Sequence, residues 1–468
     1  MENTDRKLRL KSEVGLLGGV SLIAGVMIGS GIFMSPQTVM LYIGSPGASL
    51  VSWAGCGLLS MLASLSYAEL GTVIRESGGE YIYILRTSGN LMAFIFSFSS
   101  LVVVRPSSNS GLALSFAQYA VAPFYEGCEP PLLVVKSVAA CGLISLTTVN
   151  CLNVHISMAI TTILMAIKFL ALTMVSIGGV VLLVQGNTNN LQNAFEGTNY
   201  STGVIGMAFY HCLWAYDGWN NLNSVTEELK RPEVNLPRAL MIAIPMVTIL
   251  YLLVNVSYLA AMTPREMMAS SAVAVTWGNK VMGSWGWVMS IAAALSSLGS
   301  LNGSFFSGGR VCFVAAREGH MPNILAMAHV RRLTPAPALI FTTIISLIVL
   351  IPGDFQGIVN FFSFTAWFFY GVTIAGLLYL KIKFPELPRT YTVPIFIPIL
   401  VLLASVFLVL APIVDKPQLE YLYVTIFILS GALIYIPLIH YKLCPHLLDK
   451  LTVFLQLFLE VAPADKNV

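Results

Sequence analysis

The sequence predicts an all-α membrane protein with twelve transmembrane helices, on the basis of its composition and its long apolar segments. Of its 468 residues, 56% are apolar and only 10% are charged, whereas soluble domains carry about 25% charged residues. Twelve spans of ~20 residues, the length that crosses a bilayer core of ~30 Å, fill about half of the chain. The loops that remain are too short for a large soluble domain.

The apolar segments follow one another along nearly the whole chain. The first comes after a polar start and is too long for the apolar region of a cleaved signal peptide, so we expect it to remain as span 1. The ninth is the shortest. The twelve predicted spans are 14–41, 46–71, 91–124, 131–150, 157–184, 201–221, 236–262, 272–307, 337–351, 355–380, 394–414 and 419–441.

Lysine and arginine residues are distributed unevenly around these spans. If the N-terminus is cytoplasmic, nineteen of them fall on the cytoplasmic side, and only Lys136, Arg265, Lys280 and Lys416 fall outside. Cytoplasmic loops are enriched in positive residues, so we predict that both termini are cytoplasmic. The net charge of +3 is spread over the loops without the dense basic patch that nucleic acid requires. We therefore predict no nucleic-acid partner.

Two spans carry an interruption that a continuous helix disfavours, because glycine costs roughly 1 kcal/mol relative to alanine in a helix interior. Span 1 contains Gly-Ser-Gly at 29–31 and span 6 contains Asp-Gly at 217–218. The two breaks are five spans apart, which is the offset expected of an inverted repeat made of spans 1–5 (14–184) and 6–10 (201–380). Paired breaks of this kind mark the binding sites of transporters. Freed N–H groups suit a carboxylate and freed carbonyls suit an ammonium group, so a zwitterionic α-amino acid fits both. For the glycines at 25 and 29 alone, a GxxxG helix contact is an equally good explanation.

The domain organisation follows from these repeats. A cytoplasmic tail (1–13) precedes the first repeat, spans 11 and 12 (394–441) follow the second, and a cytoplasmic tail (442–468) ends the chain. In this last tail, apolar residues recur at helical spacing from 446 to 461. This pattern predicts a helix that lies at the membrane interface or against the mouth of the bundle.

Several motifs occur in order along nearly the whole chain: Gly29-Ser30-Gly31-Ile32-Phe33 followed by Ser35-Pro36, Ser77-Gly78-Gly79-Glu80-Tyr81, Trp214-Ala215-Tyr216-Asp217-Gly218-Trp219-Asn220, Thr226-Glu227-Glu228 and Arg317-Glu318-Gly319-His320. This ordered set resembles the L-type amino-acid transporters, which are light chains of heteromeric exchangers in the amino acid, polyamine and organocation superfamily. The closest subgroups are the cystine and dibasic amino-acid exchanger light chain and its aromatic-preferring relative, which the sequence does not separate. The resemblance implies a LeuT-like 5+5 inverted repeat, a plasma-membrane location and no cofactor.

The resemblance also implies roles for residues at the two breaks. Backbone N–H groups around Ser30 and Gly31 would hold the substrate carboxylate, and carbonyls of Met27, Trp214 and Asp217 would accept from its ammonium group. Trp214 would act as an aromatic gate, although an ordinary core or interfacial tryptophan is the alternative. The predicted substrate-binding residues are Met27, Ile28, Gly29, Ser30, Gly31, Trp214, Ala215 and Asp217.

Charged residues within spans cost roughly 2.5 to 3.5 kcal/mol near the bilayer centre, so each needs an explanation. The resemblance implies that the ammonium group of Lys168 replaces a sodium ion, and a tether to a neighbouring helix is the alternative. Asp217 either contacts a cationic substrate side chain or caps the following half-helix. Arg105, which precedes a proline, places a cation beside an expected kink, where the nearest subgroup tends to have lysine. Glu69, near the end of span 2, is predicted to be solvated or paired.

Of the seven cysteines, Cys128 alone falls in a predicted outer loop. An odd cysteine in an oxidising compartment suggests an intermolecular disulfide, with a free surface thiol as the alternative. The resemblance implies a disulfide from Cys128 to a single-span glycoprotein heavy chain. Asn199 begins a glycosylation sequon in an outer loop, but its closeness to span 6 makes modification doubtful. We predict no metal site.

These observations predict a sodium-independent amino-acid exchanger. Its substrates would be neutral L-amino acids, large and aromatic ones among them, with cystine and dibasic amino acids as further candidates. The alternative within the family is an aromatic-preferring transporter that does not accept dibasic substrates. The alternative from another class is a membrane amino-acid sensor or receptor. The spans contain no arranged nucleophile and base and no metal constellation of the kind that indicates an enzyme.

Overall fold

The computed structural model describes residues 15–76, 78–332, 334–415, 419–443 and 445–463. The predicted N-terminal tail (1–13) lies outside the described residues, as do Cys444 and the last five residues of the chain. The fold is all-α, with one two-stranded sheet in the described part. The helices are α1 (Leu16–Met27), α2 (Gly31–Ile43), α3 (Pro46–Val73), α4 (Glu80–Ser88), α5 (Asn90–Ser99), α6 (Arg105–Val121), α7 (Leu132–Leu152), α8 (Val154–Val184), α9 (Thr202–Tyr216), α10 (Pro232–Ala261), α11 (Pro264–Ala269), α12 (Val273–Val281), α13 (Trp287–Arg317), α14 (Ala336–Leu350), α15 (Phe355–Lys383), α16 (Phe396–Asp415), α17 (Leu419–Tyr435) and α18 (Pro445–Leu459).

Each of the twelve predicted spans coincides with a helix or a pair of helices. Within the described residues, nine helices are long and apolar enough to cross a membrane, and the pair α1 and α2 forms a tenth span with a bend of 47°. The other two predicted spans, 6 and 9, correspond to α9 and α14, which have 15 residues each. The chain is therefore a polytopic membrane protein, and its two shortest spans are the ones that fall below the length of an uninterrupted crossing.

The prediction of one continuous segment for span 8 (272–307) was wrong. The structure divides it into α12 and α13, separated by a short 3₁₀ turn, Gly283–Trp285. Gly283 adopts a φ of +61°, a backbone conformation that glycine reaches without steric cost. The apolar run continues through this turn, so hydropathy alone did not reveal the corner.

Local sequence signals explain several helix boundaries. Gly44 ends α2 in the left-handed conformation (φ +82°), and its N–H donates to the Met40 carbonyl at 2.8 Å. Pro46 then begins α3 at a position where its missing N–H costs nothing. The side chains of Asn153 and Asp354 cap α8 and α15 by accepting backbone N–H bonds.

Span 3 contains an irregularity beside the predicted kink. A π-helical turn, Ser100–Val104, joins α5 to α6, and Arg105 begins α6 directly before Pro106. Proline lacks an N–H and its ring disturbs the preceding turn, and π-helical turns occur frequently at functional sites. The irregular turn therefore ends directly before Arg105.

The end of the bundle at which α1 begins is called here the tail end, and the opposite end is the far end. At the tail end, α18 has an exposed apolar face that includes Leu451, Phe454 and Phe458, in the region where a helix was predicted. The chain then forms a strand, Val461–Pro463, that pairs antiparallel with Met327–His329. The segment after α18 is thus paired with the loop between spans 8 and 9.

Glu69 was predicted to be either solvated or paired, and in the structure it is paired. Its side chain is fully buried, and its carboxylate lies 3.0 Å from Lys381 Nζ and 3.3 Å from Arg389 Nε. A buried carboxylate is tolerated when it is paired in this way. The ion pairs join span 2 to the end of α15 and to the loop that follows it, at the tail end.

Candidate functional site

The candidate site begins at the break in span 1. The helix α1 ends at Met27, Ile28 is extended (φ −80°, ψ 95°), and α2 begins at Gly31. A helix end leaves carbonyls without intrahelical partners, and a helix start leaves N–H groups without them. Because the break is buried, water cannot satisfy these groups freely, and each must find a partner within the protein or in a ligand.

Side chains from three other spans satisfy carbonyls of this break. Lys168 Nζ donates to the Gly25 carbonyl at 2.6 Å, and Ser300 Oγ donates to the Ile28 carbonyl at 3.2 Å. The hydroxyl of Tyr251 lies 2.8 Å from the Met27 carbonyl oxygen. Lys168 also donates to Ser300 Oγ at 2.8 Å and is only 2% exposed. The ammonium group of Lys168 therefore tethers span 5 to spans 1 and 8.

The N–H groups at the start of α2 are in a different situation. Ser30, Gly31 and Ile32 are buried residues, and none of their backbone N–H groups has a hydrogen-bond acceptor among the described residues. Buried N–H groups without a partner are rare in native proteins. Three in succession at the positive end of a helix dipole form a site ready to bind an anion.

The break in span 6 lies at Asp217 and Gly218. The helix α9 ends at Tyr216, Asp217 is extended, and Gly218 has a φ of +111°. A Cβ on Gly218 would lie 2.8 Å from Cγ1 of Val26 in α1, so both conformation and space require glycine. Sequence and structure agree on the location of this break.

Asp217 does not cap the following half-helix. The helix after the break is a 3₁₀ segment, Asn221–Glu228, and its N-cap residue is Asn220. The Asp217 carboxylate instead accepts a hydrogen bond from the Tyr370 hydroxyl at 2.9 Å. The capping alternative is therefore wrong, and the carboxylate is tied to span 10.

The two breaks are in direct contact because Gly31 has no side chain. A Cβ on Gly31 would lie 2.3 Å from the Cα and 2.5 Å from the Cβ of Ala215. A Cβ on Gly29 would lie 2.6 Å from Ser300 Oγ. These glycines let α2 pack closely on α9 and let the span 1 break approach span 8.

Trp214 covers the contact between the breaks. Its indole Nε1 donates to Ser30 Oγ at 3.0 Å, and its ring packs edge-on against Phe355 and Phe362 of span 10, with centroids 6.0 and 5.0 Å away. The ring also lies over Gly111, where a Cβ would be 2.9 Å from the indole. The role of Trp214 as an aromatic gate remains a prediction.

A cavity of about 60 Å³ lies between the breaks, and six of the eight predicted residues line it. Ile28 and Ala215 do not: the Ile28 carbonyl accepts from Ser300, and Ala215 packs against Gly31. A second cavity of similar size adjoins it on the side of Asp217 and is bordered by aromatic rings of spans 3 and 10. The six lining residues are Met27, Gly29, Ser30, Gly31, Trp214 and Asp217.

Sequence reasoning missed several residues of the site. Arg105, which the sequence placed beside an expected kink but not among the substrate-binding residues, lines both cavities. Ser300, Ser304 and Ser307 of α13 also line the first cavity. Their spacing of four and three residues places them on one helix face, and this pattern was a signal that could have identified them.

Comparisons with known proteins agree with this architecture. The family model described as amino acid permease matches residues 14–437. The chain belongs to the amino acid permease family. It is 48% identical to the b(0,+)-type amino acid transporter 1 of Mus musculus over 460 residues, covering 98% of this chain and 94% of that protein. It is 40% identical to the human cystine/glutamate transporter over 466 residues (99% and 93%) and 42% identical to the human large neutral amino acids transporter small subunit 2 over 411 residues (87% and 77%).

Membership of this family identifies the chain as a multi-pass amino-acid transporter and not as an enzyme. The match covers between 77% and 94% of the length of these three relatives, and the region of this chain matched by the family model includes both helix breaks. The resemblance inferred from the motifs is therefore confirmed at the level of the family. The role of each predicted site residue remains a prediction.

Cys128 lies at the far end, in the loop between α6 and α7. It is exposed, and its Sγ lies 3.9 Å from the carbonyl oxygen of Glu126. Of the other described cysteines, Cys141 and Cys151 lie within α7, and the remaining three are buried in the bundle. Within the described part of the chain, Cys128 is thus the cysteine whose thiol is open to solvent in a loop.

Proposed function

We propose that this protein is a sodium-independent exchanger of neutral L-amino acids, large and aromatic ones among them. The observation that carries the proposal is the run of three N–H groups at the buried residues Ser30, Gly31 and Ile32, which have no acceptor among the described residues. A substrate carboxylate supplies the acceptors that these donors lack. The helix dipole of α2 adds to the attraction.

Carbonyls of the two breaks would hold the substrate ammonium group. The Met27 carbonyl already accepts from Tyr251, and the Trp214 carbonyl accepts from the Asp217 N–H at 3.3 Å. A carbonyl oxygen has two lone pairs, so both can accept a further bond. The carboxylate and ammonium of one α-amino acid are then held by opposite ends of the two broken helices.

The second cavity supports large and aromatic side chains as the preferred class. It begins at Asp217 and Arg105, next to the first cavity, and Phe96, Phe362 and Phe369 line it. Aromatic rings pack well against one another in edge-to-face arrangements. Cystine and dibasic amino acids are the second candidate class, because the Asp217 carboxylate at the entrance could pair with a cationic group.

Lys168 supports independence from sodium. Its ammonium group lies against the Gly25 carbonyl and Ser300 Oγ, beside the break in span 1. A fixed positive charge at this point disfavours a sodium ion by direct repulsion and uses the oxygen atoms that would coordinate one. We propose that Lys168 permanently takes the place of the ion.

We further propose that the chain is the light chain of a disulfide-linked heterodimer in the plasma membrane, with both termini cytoplasmic. The exposed thiol of Cys128 at the far end supports a link to a single-span glycoprotein heavy chain on the extracellular side. The excess of lysine and arginine at the tail end supports the orientation.

The proposal is tested with purified protein in liposomes preloaded with labelled leucine. Release is measured against a panel of external amino acids, in sodium and in choline buffer. We expect release only in the presence of an external substrate, at equal rates in both buffers. Release that depends on sodium would refute the assignment to Lys168, and binding without any release would favour the sensor alternative.

A further inference from the structure

Glu80 brings a second carboxylate to the cavity that adjoins the helix breaks. It is the first residue of α4, in the segment that follows span 2 at the tail end, and it lines the same cavity as Asp217. Among the described residues that line this cavity, Arg105 is the single cation. The cavity wall therefore carries two carboxylates and one guanidinium group, and its net charge is −1 when all three groups are ionised.

A glycine lets α4 begin close to the break in span 6. Gly79, directly before Glu80, has a φ of +59°, and a Cβ on it would lie 3.0 Å from Ser224 Oγ. One oxygen of the Glu80 carboxylate accepts a hydrogen bond from Nδ2 of Asn220, two residues after Gly218. An ionised carboxylate has about four acceptor positions. The bond to Asn220 therefore leaves capacity for a donor that enters the cavity.

The surroundings of Glu80 let its carboxylate gain or lose a proton near neutral pH. Burial raises the pKa of Glu80 to about 7, although the hydrogen bond from Asn220 and the charge of Arg105 lower this pKa, and Asp217 raises it further. The other titratable groups that face Glu80 are tyrosine hydroxyls, which keep their protons near pH ~7. They belong to Tyr67 of α3, Tyr83 of α4 and Tyr370 of α15.

We propose that Glu80 is a specificity-determining residue that pairs with the distal cationic group of a dibasic amino acid. This rests on the proposed function, which assigns the α-carboxylate and α-ammonium groups of the substrate to the two breaks. From there the side chain enters the cavity beside Asp217, and Glu80 lies on its tail-end side. The lysine ammonium group is carried on a flexible four-carbon stem, which lets it extend past Asp217 toward Glu80. A neutral side chain forms no ion pair with either carboxylate.

Competition between a proton and the substrate gives this role a pH signature. The cationic group binds to the ionised carboxylate of Glu80, and below the pKa of Glu80 it must displace a proton. The affinity for lysine is then greatest above about pH 8 and decreases as the pH falls through about 7. A neutral substrate does not depend on the charge of Glu80, so its KM stays constant over the same range.

The structural alternative is that Glu80 only stabilises α4. A carboxylate in the first turn of a helix interacts favourably with the helix dipole, and Glu80 is in that turn. This role predicts a lower melting temperature for Glu80→Gln without a change in selectivity. Glu76→Gln is the matched control, because Glu76 lies in the same segment but is exposed and pairs with Arg86 at 2.8 Å.

The test measures KM for leucine and for lysine in liposomes that have the same pH on both sides. For the wild type we expect the lysine KM to be about 5- to 10-fold higher at about pH 6 than at about pH 8, and the leucine KM to change less than about twofold. In Glu80→Gln we expect the lysine KM at about pH 8 to rise roughly 5- to 30-fold and to lose its pH dependence, while the leucine KM stays within about twofold of wild type. Glu76→Gln should match the wild type for both substrates.

Equal changes of KM for leucine and lysine in Glu80→Gln, or a lysine KM that keeps its pH dependence in this variant, would overturn the proposal. If Glu80→Gln does not fold, the wild type decides, because a lysine KM that is the same at both pH values would also overturn it. A wild type that exchanges leucine but not lysine would overturn the proposal and leave the proposed function intact. Absence of leucine exchange would instead refute the proposed function.

Discussion

Replacing Gly31 with alanine adds one methyl group at the contact between the two broken helices. The new Cβ would lie 2.3 Å from the Ala215 Cα, whereas ordinary contacts of a Cβ begin near 3.4 Å. The obstacle is backbone, so α2 and α9 must move apart by about 1 Å, the size of displacement that can cost roughly 100-fold in a site that depends on orientation. Overpacking of this kind also costs typically 1–3 kcal/mol of stability.

We expect Gly31→Ala to exchange labelled leucine about 100-fold more slowly than wild type, although alanine favours the helix intrinsically. The assay is initial-rate exchange in liposomes, normalised to folded protein measured by size exclusion. Gly303→Ala is the matched control, because the methyl group there meets only Val26 Cγ2 at 3.8 Å. Exchange by Gly31→Ala at the rate of Gly303→Ala would refute the reasoning from the contact of the two breaks.

Three further predictions follow from single contacts. Lys168→Gln removes the ammonium group that donates to Gly25 and Ser300, so we expect exchange in choline buffer to fall roughly 10- to 100-fold; exchange at the wild-type rate in choline buffer would contradict the ion-replacement role. Asp217→Asn should weaken lysine or arginine exchange by a few-fold to more than tenfold and spare leucine and tyrosine, measured by inhibition of labelled leucine exchange. Equal weakening of all substrates would assign Asp217 to the geometry of the break. Cys128→Ser should abolish a band heavier than the 50.7 kDa chain on non-reducing gels of mammalian cells, while Cys141→Ser, which changes an exposed thiol in span 4, should keep it.

The breaks themselves could be predicted because glycine is a local signal. The run at 29–31 and the pair at 217–218 disfavour a helix whatever surrounds them, and the structure ends α1 and α9 at those points. The spans followed from apolar length alone, and for the same reason the corner at Gly283 within span 8 was missed.

The partners of the breaks could not be predicted, because they depend on how helices rotate against one another. Tyr251 sits in an apolar span with nothing in its neighbouring sequence to indicate that its hydroxyl would reach two carbonyls. The capping role considered for Asp217 was wrong because its carboxylate accepts a hydrogen bond from a hydroxyl of span 10, 153 residues away in the chain. Such contacts are set by tertiary packing, and the residues next to each other in the sequence do not reveal it.

The central claim is that the two breaks hold both ends of an α-amino acid, and one measurement tests it most directly. Liposomes that contain the wild-type protein and labelled internal leucine are exposed to external leucine, to 4-methylpentanoate, which lacks the ammonium group, or to 3-methylbutylamine, which lacks the carboxylate. All three carry the same side chain, so only the groups at the breaks differ. We predict that leucine alone drives release of the label. Release driven equally well by either analogue would contradict the account, because one of the two broken helices would then have no part in holding the substrate.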